Sequence, residues 1–316
     1  MLRLIPVLSL ALLIAFPAAG AAQGLPGGIV VFGDSLSDPG NGFTFVHTSS
    51  TPPDYGMGPL LIPDAPYARG GHHLTNGATW IEQLARPLGL AGSVQPAFRS
   101  SSPVALNFAI GTARARDDGT NPSLAFEVAA FLQKTGGVVP TDALYVIQIG
   151  GNDLRDAVAT GDPVQGLAIL QAATAAIADA VSMLYTAGAR NFLIWNVPDA
   201  SFTPLAQIVD AQIPGTAAAA SLATTVFNTL LAGALAPLGV LPGINLVPFD
   251  ANALITTIVN NPAQFGLTNV TDACVMPGDP PFTCQQPDEY LFWDGIHPTE
   301  AAHAIVAQAV AVLLGI

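Results

Sequence analysis

Positive charge is scarce in this chain. Its 316 residues carry nine lysines and arginines against 22 aspartates and glutamates, a formal charge of −13. No basic stripe exists to neutralise phosphates, which argues against a nucleic-acid partner. Charged residues of either sign amount to only 10%, so Ser, Thr, Asn, Gln and Ala must cover much of the surface. Such a surface tolerates apolar or interfacial substrates and is compatible with transient contact with lipid interfaces; it implies no obligate protein partner. After the first residues no segment reads as a membrane span, because the Ala-rich stretches carry polar residues and prolines. Repeats, linkers and charge blocks are also missing.

Cysteine is almost absent, with only Cys274 and Cys284, close together in "DACVMPGDPPFTCQQPDE". No histidine stands nearby at ligand spacing, so a metal site there is disfavoured. In an exported chain the pair is expected to form a disulfide that pins a Pro/Gly-rich loop. Export itself is expected from residues 1–22, which have one early cation, Arg3, a short apolar run broken by Pro6 and Pro17, and small residues before the cleavage point. Residues 1–22 therefore read as a signal peptide and 23–316 as a single domain, secreted or periplasmic, with a bacterial look.

In the remainder, short runs of Val, Ile, Leu and Phe alternate with longer Ala/Leu segments of helical period. Strands are expected at residues 28–32, 104–110, 143–149, 191–196 and 244–247. Helices are expected at about 77–88, 123–134, 164–187, 216–236 and 298–314. Strand-helix alternation of this kind implies a parallel sheet covered on both faces. Two long loops, 47–76 and the cysteine loop, are candidate walls of a cleft.

Ligands of open parallel sheets bind beyond the carboxyl ends of the strands, and polar motifs collect there. "GDSLSD" follows the first strand, and Ser35 is the hydroxyl expected at the amino end of the next turn or helix, where N–H groups favour an incipient oxyanion. Ser37 and Asp38 suit turn and cap hydrogen bonds better. A serine needs a base. Of five histidines, His47, His72 and His73 belong to loops and His303 to the last helix. His297 differs, because Asp294 stands three residues before it, a spacing that lets a carboxylate hold the imidazole Nδ1 and free Nε2 as base. Protonation of such a base would lower activity on the acid side. Acyl transfer also needs oxyanion donors: the Ser35 N–H, the Asn152 side chain in "GGND", and a third at Gly111 or Thr112.

Taken together, "FGDSLSD", "NFAIGTA", "GGNDL" and "DGIHPT", in that order and widely spaced, resemble the four blocks of the GDSL or SGNH hydrolases, and the likeness covers nearly all of the chain after its leader. It is similar to the branch of secreted lipases, esterases, phospholipases and acyltransferases. The resemblance implies a flavodoxin-like three-layer α/β/α fold, no cofactor, Ser35 as nucleophile with Asp294 and His297, and an oxyanion hole from Ser35, Asn152 and the second block. That block departs from the family: Gly-Gly is common there, and this chain has Gly111-Thr112. No Gly-x-Ser-x-Gly elbow is present, which argues against the α/β-hydrolase fold. The expected substrates are carboxylic esters of short to medium acyl chain. Phospholipase, acyltransferase and polysaccharide acetylesterase activities are the alternatives within the fold, and a non-catalytic lipid- or carbohydrate-binding module is the alternative outside enzymes. Phe43, Phe45, Tyr55, Tyr67 and Trp293 are candidates to pack against substrate, or else core residues.

Overall fold

A computed structural model describes residues 26–46, 73–275 and 283–316. Residues 1–22, where a leader is expected, lie outside these, as do residues 47–72 with His47, Tyr55, Tyr67 and His72, residues 276–282, and the side chains of Phe43 and Phe45.

In chain order the elements are β1 (Ile29–Gly33), α1 (Asn41–Val46), α2 (Trp80–Ala85), α3 (Leu124–Lys134), β2 (Leu144–Gln148), α4 (Gly151–Ala159), α5 (Pro163–Ala187) and β3 (Asn191–Trp195). Then follow α6 (Pro204–Gln212), α7 (Thr216–Leu235), β4 (Asn245–Phe249), α8 (Ala251–Asn260), β5 (Asn269–Ala273), β6 (Tyr290–Phe292) and α9 (Glu300–Leu314). Strands β1 to β4 form one parallel sheet in that order, and β5 pairs with β6 separately.

Alternation along the strands builds the layers. Val30, Phe32, Tyr145, Ile147, Phe192 and Ile194 face one core with residues of α3, α4, α5 and α7. Ile29, Val31, Leu144, Val146, Leu193 and Trp195 face the other, with α2, α8 and α9. A sheet buried on both faces reads as unbroken apolar runs, which is why these strands were legible. The result is the three-layer α/β/α sandwich. Helices α5 and α7 are long and apolar enough to cross a membrane by length and composition, yet one face of each packs on the sheet, with Leu170, Ile177, Leu184, Phe227 and Leu231 buried there and Val164, Leu167, Met183 and Leu222 exposed. Pro248, which lacks an N–H, is accommodated because β4 is an edge strand.

One expected strand is not regular. Residues 104–110 run parallel to β1, with Val31 N–H donating to Leu106 O and Phe108 N–H donating to Val31 O, but they form only isolated bridges at Asn107, to Val31 on one side and to Pro96 on the other. On its other side the segment meets the backbone of residues 93–97 irregularly, with Leu106 N–H donating to Ser93 O and Ala97 N–H to Asn107 O, and the Asn41 amide also donates to the carbonyls of Asn107 and Ala109 at 2.8 and 2.9 Å. Helices α4, α6 and α8 were not anticipated. Each has a local start signal: Gly150 before α4, Thr203-Pro204 at α6, and Asp250 capping α8.

Candidate active site

The loops after β1, residues 106–110, β2 and β6 meet beyond the carboxyl edge of the sheet. The β1 loop is a turn, and the next helix, α1, begins only at Asn41. Ser35 therefore does not stand at a helix N-terminus. The helix is delayed because carboxylates capture the turn: Asp34 Oδ1 accepts from Leu36 N–H, and Asp38 accepts from the N–H groups of Gly40, Asn41 and Gly42. Ser37 is buried, donating to Gln148 Oε1 at 2.7 Å and accepting from Trp80 Nε1 at 2.9 Å.

Ser35 Oγ lies 2.8 Å from His297 Nε2. On the far side of the ring, Nδ1 is 2.7 Å from Asp294 Oδ2. The other carboxylate oxygen, Oδ1, accepts from the N–H groups of Ile296 and His297, which fixes the three-residue turn that the Asp-x-x-His spacing requires. Asp294 and His297 are both buried. Capping of α9 falls to Thr299 rather than Asp294. A carboxylate on Nδ1 favours the tautomer with Nε2 unprotonated, able to take a hydroxyl proton.

The cysteine pair supports this loop from behind. Cys274 and Cys284 form a disulfide. Cys274 N–H donates to Phe292 O, Val275 N–H to Trp293 O and Trp293 N–H to His297 O. Trp293 is buried against Cys274 and Val275, so it is a core residue and does not line the cleft.

The donors sort themselves by what they already bond. Gly111 N–H is engaged, donating to Asp38 Oδ2 at 2.6 Å, which removes Gly111 from the donors expected at the site. No acceptor among the described residues takes the N–H of Ser35 or of Thr112. Thr112 is the one non-glycine among the described residues with positive φ, at 76°, so a β-branched residue holds a conformation usual for glycine. Asn152, in the first turn of α4, donates one amide hydrogen to Ala113 O at 2.9 Å, leaving the second free. Gly150 before it has φ 123°, and a Cβ there would meet Phe227 at 2.4 Å, so only glycine lets α4 start so close to α7.

Ion pairs tie the second block to α4. Arg114 spans the Thr112 carbonyl at 2.5 Å and both oxygens of Asp156 at 3.0 Å. Asp153 accepts from Ala115 N–H and pairs with Arg116 at 2.7 Å; burial nonetheless pushes its carboxyl above the usual range. Below the site, fully buried Glu127 accepts from the N–H groups of Gly33 and Ile110 at 2.8 and 3.2 Å, and burial pushes it well up. Burial also lifts Asp34 to about 6, against hydrogen bonds from Gln148 and Leu36.

Beside Ser35 opens a cleft of about 720 Å³ with a mainly apolar wall, including Leu205, Ala206, Val209 and Ile255. The described part of the cysteine loop does not line it. The wall comes instead from α4, α6, α8 and the segment before α7. His73 and His303 lie elsewhere, buried and bonded to Glu82 and the Trp80 N–H.

Comparison with known proteins agrees with this geometry. The profile of the GDSL-like lipase/acylhydrolase family matches residues 29–310. A GDSL esterase/lipase of Arabidopsis thaliana is 27% identical, covering 89% of this chain and 89% of its own. A second from the same plant is 25% identical over 92% and 91%. The thermolabile hemolysin of Vibrio parahaemolyticus is 26% identical over 89% of this chain and 62% of its own. Relatives from a plant and a bacterium do not narrow the source of the chain. With the four motifs, the sandwich and a family match over most of its length, the chain belongs to the GDSL-like lipase/acylhydrolase family and is a carboxylic ester hydrolase.

Proposed function

We propose that this chain is an exported serine esterase that cleaves esters of short to medium acyl chain through an acyl-enzyme on Ser35. The observation that carries the reading is the Ser35–His297–Asp294 hydrogen-bond chain, at 2.8 and 2.7 Å, opening on an apolar cleft. Ser35 Oγ attacks the ester carbonyl carbon as its proton passes to His297 Nε2. The oxyanion receives hydrogen bonds from the N–H groups of Ser35 and Thr112 and from the Asn152 amide. Collapse expels the alcohol, which takes the proton from His297, and a water then repeats the sequence to release the acid. Asp294 holds the ring and stabilises the imidazolium throughout.

A cleft of about 720 Å³ is in the size range of small-molecule sites, and its apolar wall supports an aliphatic acyl group over a saccharide. Export is supported by the leader-like residues 1–22 and by the disulfide, which suits an oxidising compartment.

The test is hydrolysis of a p-nitrophenyl ester series by the mature chain beside Ser35→Ala. Activity should peak at one acyl length and fall by several decades in the variant. More than a few per cent of residual turnover would refute Ser35 as nucleophile.

A further inference from the structure

Arg155 lines the same cleft as Ser35 and Asn152. It stands on α4 three residues after Asn152, so the two side chains lie one turn apart on one face of the helix. The other polar side chains of the wall are already engaged. Ser35 bonds His297, Asn152 the Ala113 carbonyl, Gln148 Asp34, Asp199 Ser221 and Asn196 Asp250, and Thr203 and Thr216 donate to carbonyls of their own turns. The indole N–H of Trp195 also lacks an acceptor, but it is sealed from solvent. That leaves Arg155 as the accessible donor group with nothing to donate to among the described residues.

Its nearest sources of negative charge are committed elsewhere. Asp156 pairs with Arg114 and Arg116, and Asp34 accepts from Gln148 and Leu36. In a chain with nine cations, neighbouring Arg114 and Arg116 are fully paired and Arg190 donates to two carbonyls and stacks on Tyr185. Removing a guanidinium from water without pairing it is unfavourable, and burial accordingly pulls Arg155 below its ordinary pKa. A planar fork of N–H donors on an apolar wall matches a pair of anionic oxygens, which it can bind bidentately.

We propose that Arg155 is an anion subsite of the ester cleft, holding the phosphate or carboxylate oxygens of an amphiphilic ester whose acyl carbonyl sits between Ser35 and Asn152. The proposal rests on the serine-esterase reading. Bound there, a charged ester is oriented by two anchors, the reacting carbonyl at one end and the anion at the other. Neutral esters have only the first.

The test is inhibition of p-nitrophenyl butyrate hydrolysis by octyl phosphate, nonanoate and octanol, which share a chain and differ in the head. At least one anion should inhibit the wild type at a concentration about tenfold or more below octanol, as charge-assisted hydrogen bonds predict. The stronger anion identifies the head group. Arg155→Gln should abolish that preference, and Arg155→Lys, which keeps the charge without the fork, should restore part of it. Calorimetric binding of the same three compounds to the Ser35→Ala protein gives a readout independent of turnover. Octanol matching both anions on the wild type would overturn the subsite without recourse to any variant, and so would a preference that survives in Arg155→Gln. A wild type that cleaves no p-nitrophenyl ester, yet binds an anion through Arg155, would instead count against the esterase reading alone.

Discussion

The N–H of Gly111 donates to the Asp38 carboxylate at 2.6 Å, and that bond separates the roles of two adjacent residues. The Gly111 N–H is held by a side chain, whereas the N–H of Thr112 meets no acceptor among the described residues and is the proposed oxyanion donor. Because Thr112 is exposed with φ 76° and its hydroxyl bonds nothing among the described residues, Thr112→Gly keeps the donor and removes a strained conformation. Such strain costs about 1–3 kcal/mol, and glycine gives back about 0.5–1 kcal/mol in chain entropy. The variant should be more stable by about 1 kcal/mol in a denaturant titration, with ester turnover little changed. A tenfold fall in kcat would show that the threonine side chain itself acts.

Asn152 makes the complementary case, since its proposed role depends on the side chain. Asn152→Ala removes both amide hydrogens, the one held by Ala113 O and the one proposed to meet the oxyanion. Loss of a single oxyanion donor costs on the order of 10²–10³ in kcat. The fall should lie in kcat with KM nearly constant, because the interaction strengthens only as the oxyanion forms. A loss confined to KM would assign Asn152 to ground-state binding.

The two donors belong to different segments, and their spacing depends on the ion pairs between them. Asp153 is fully buried and holds both Ala115 N–H and Arg116. Asp153→Ala would strip the Ala115 N–H of its acceptor and leave Arg116 with Asp156 alone, a loss of about 1–3 kcal/mol for an unsatisfied buried donor. Thermal melts should show that loss, and kcat should fall although Asp153 touches no substrate. Asp153→Asn, which keeps an acceptor for Ala115 N–H, should recover part of both. Equal stability in wild type and Asp153→Ala would exclude this network as the support of the site.

Legibility in the sequence followed the range of the interactions. Strands buried on both faces, β1 to β3, betray themselves by composition, and the half-exposed edge strand β4 by its short apolar run; all four are readable to within a residue or two. Residues 104–110 misled because their other side meets irregular partners, the backbone of residues 93–97 and the amide of Asn41, the latter more than sixty positions away. The Asp294–His297 contact spans three residues and can be inferred locally. The contact of His297 with Ser35 spans 262 and follows only from where a parallel sheet gathers its loops. Gly111 and Thr112 could not be told apart from sequence, since the bond that distinguishes them reaches back 73 positions to Asp38. Arg155 carried no signal at all, because what marks it is the lack of a partner in three dimensions.

Acid stability should depend on a histidine outside the site. His303 is buried in α9, and its Nδ1 accepts from Trp80 N–H at 3.2 Å. Burial lowers its pKa from 6.5 to about 3, with the nearby His297 adding in the same direction. The unfolded chain therefore binds a proton between those values that the native chain refuses, so stability is present above about 6.5 and is lost as pH falls towards 3. At 1.36 kcal/mol per unit, the loss is on the order of 5 kcal/mol. Asp34, lifted by burial from 3.8 to about 6, works in the opposite sense, taking up a proton more readily in the native state and gaining stability as pH falls through that window. Comparing His303→Gln with the wild type cancels the Asp34 contribution, and Gln can still accept from the Trp80 N–H. In urea titrations from pH 7 to 4, the variant should lose much less stability than the wild type. Parallel profiles would mean that His303 is free to protonate in the folded chain, and that the α2–α9 contact opens more easily than its burial implies.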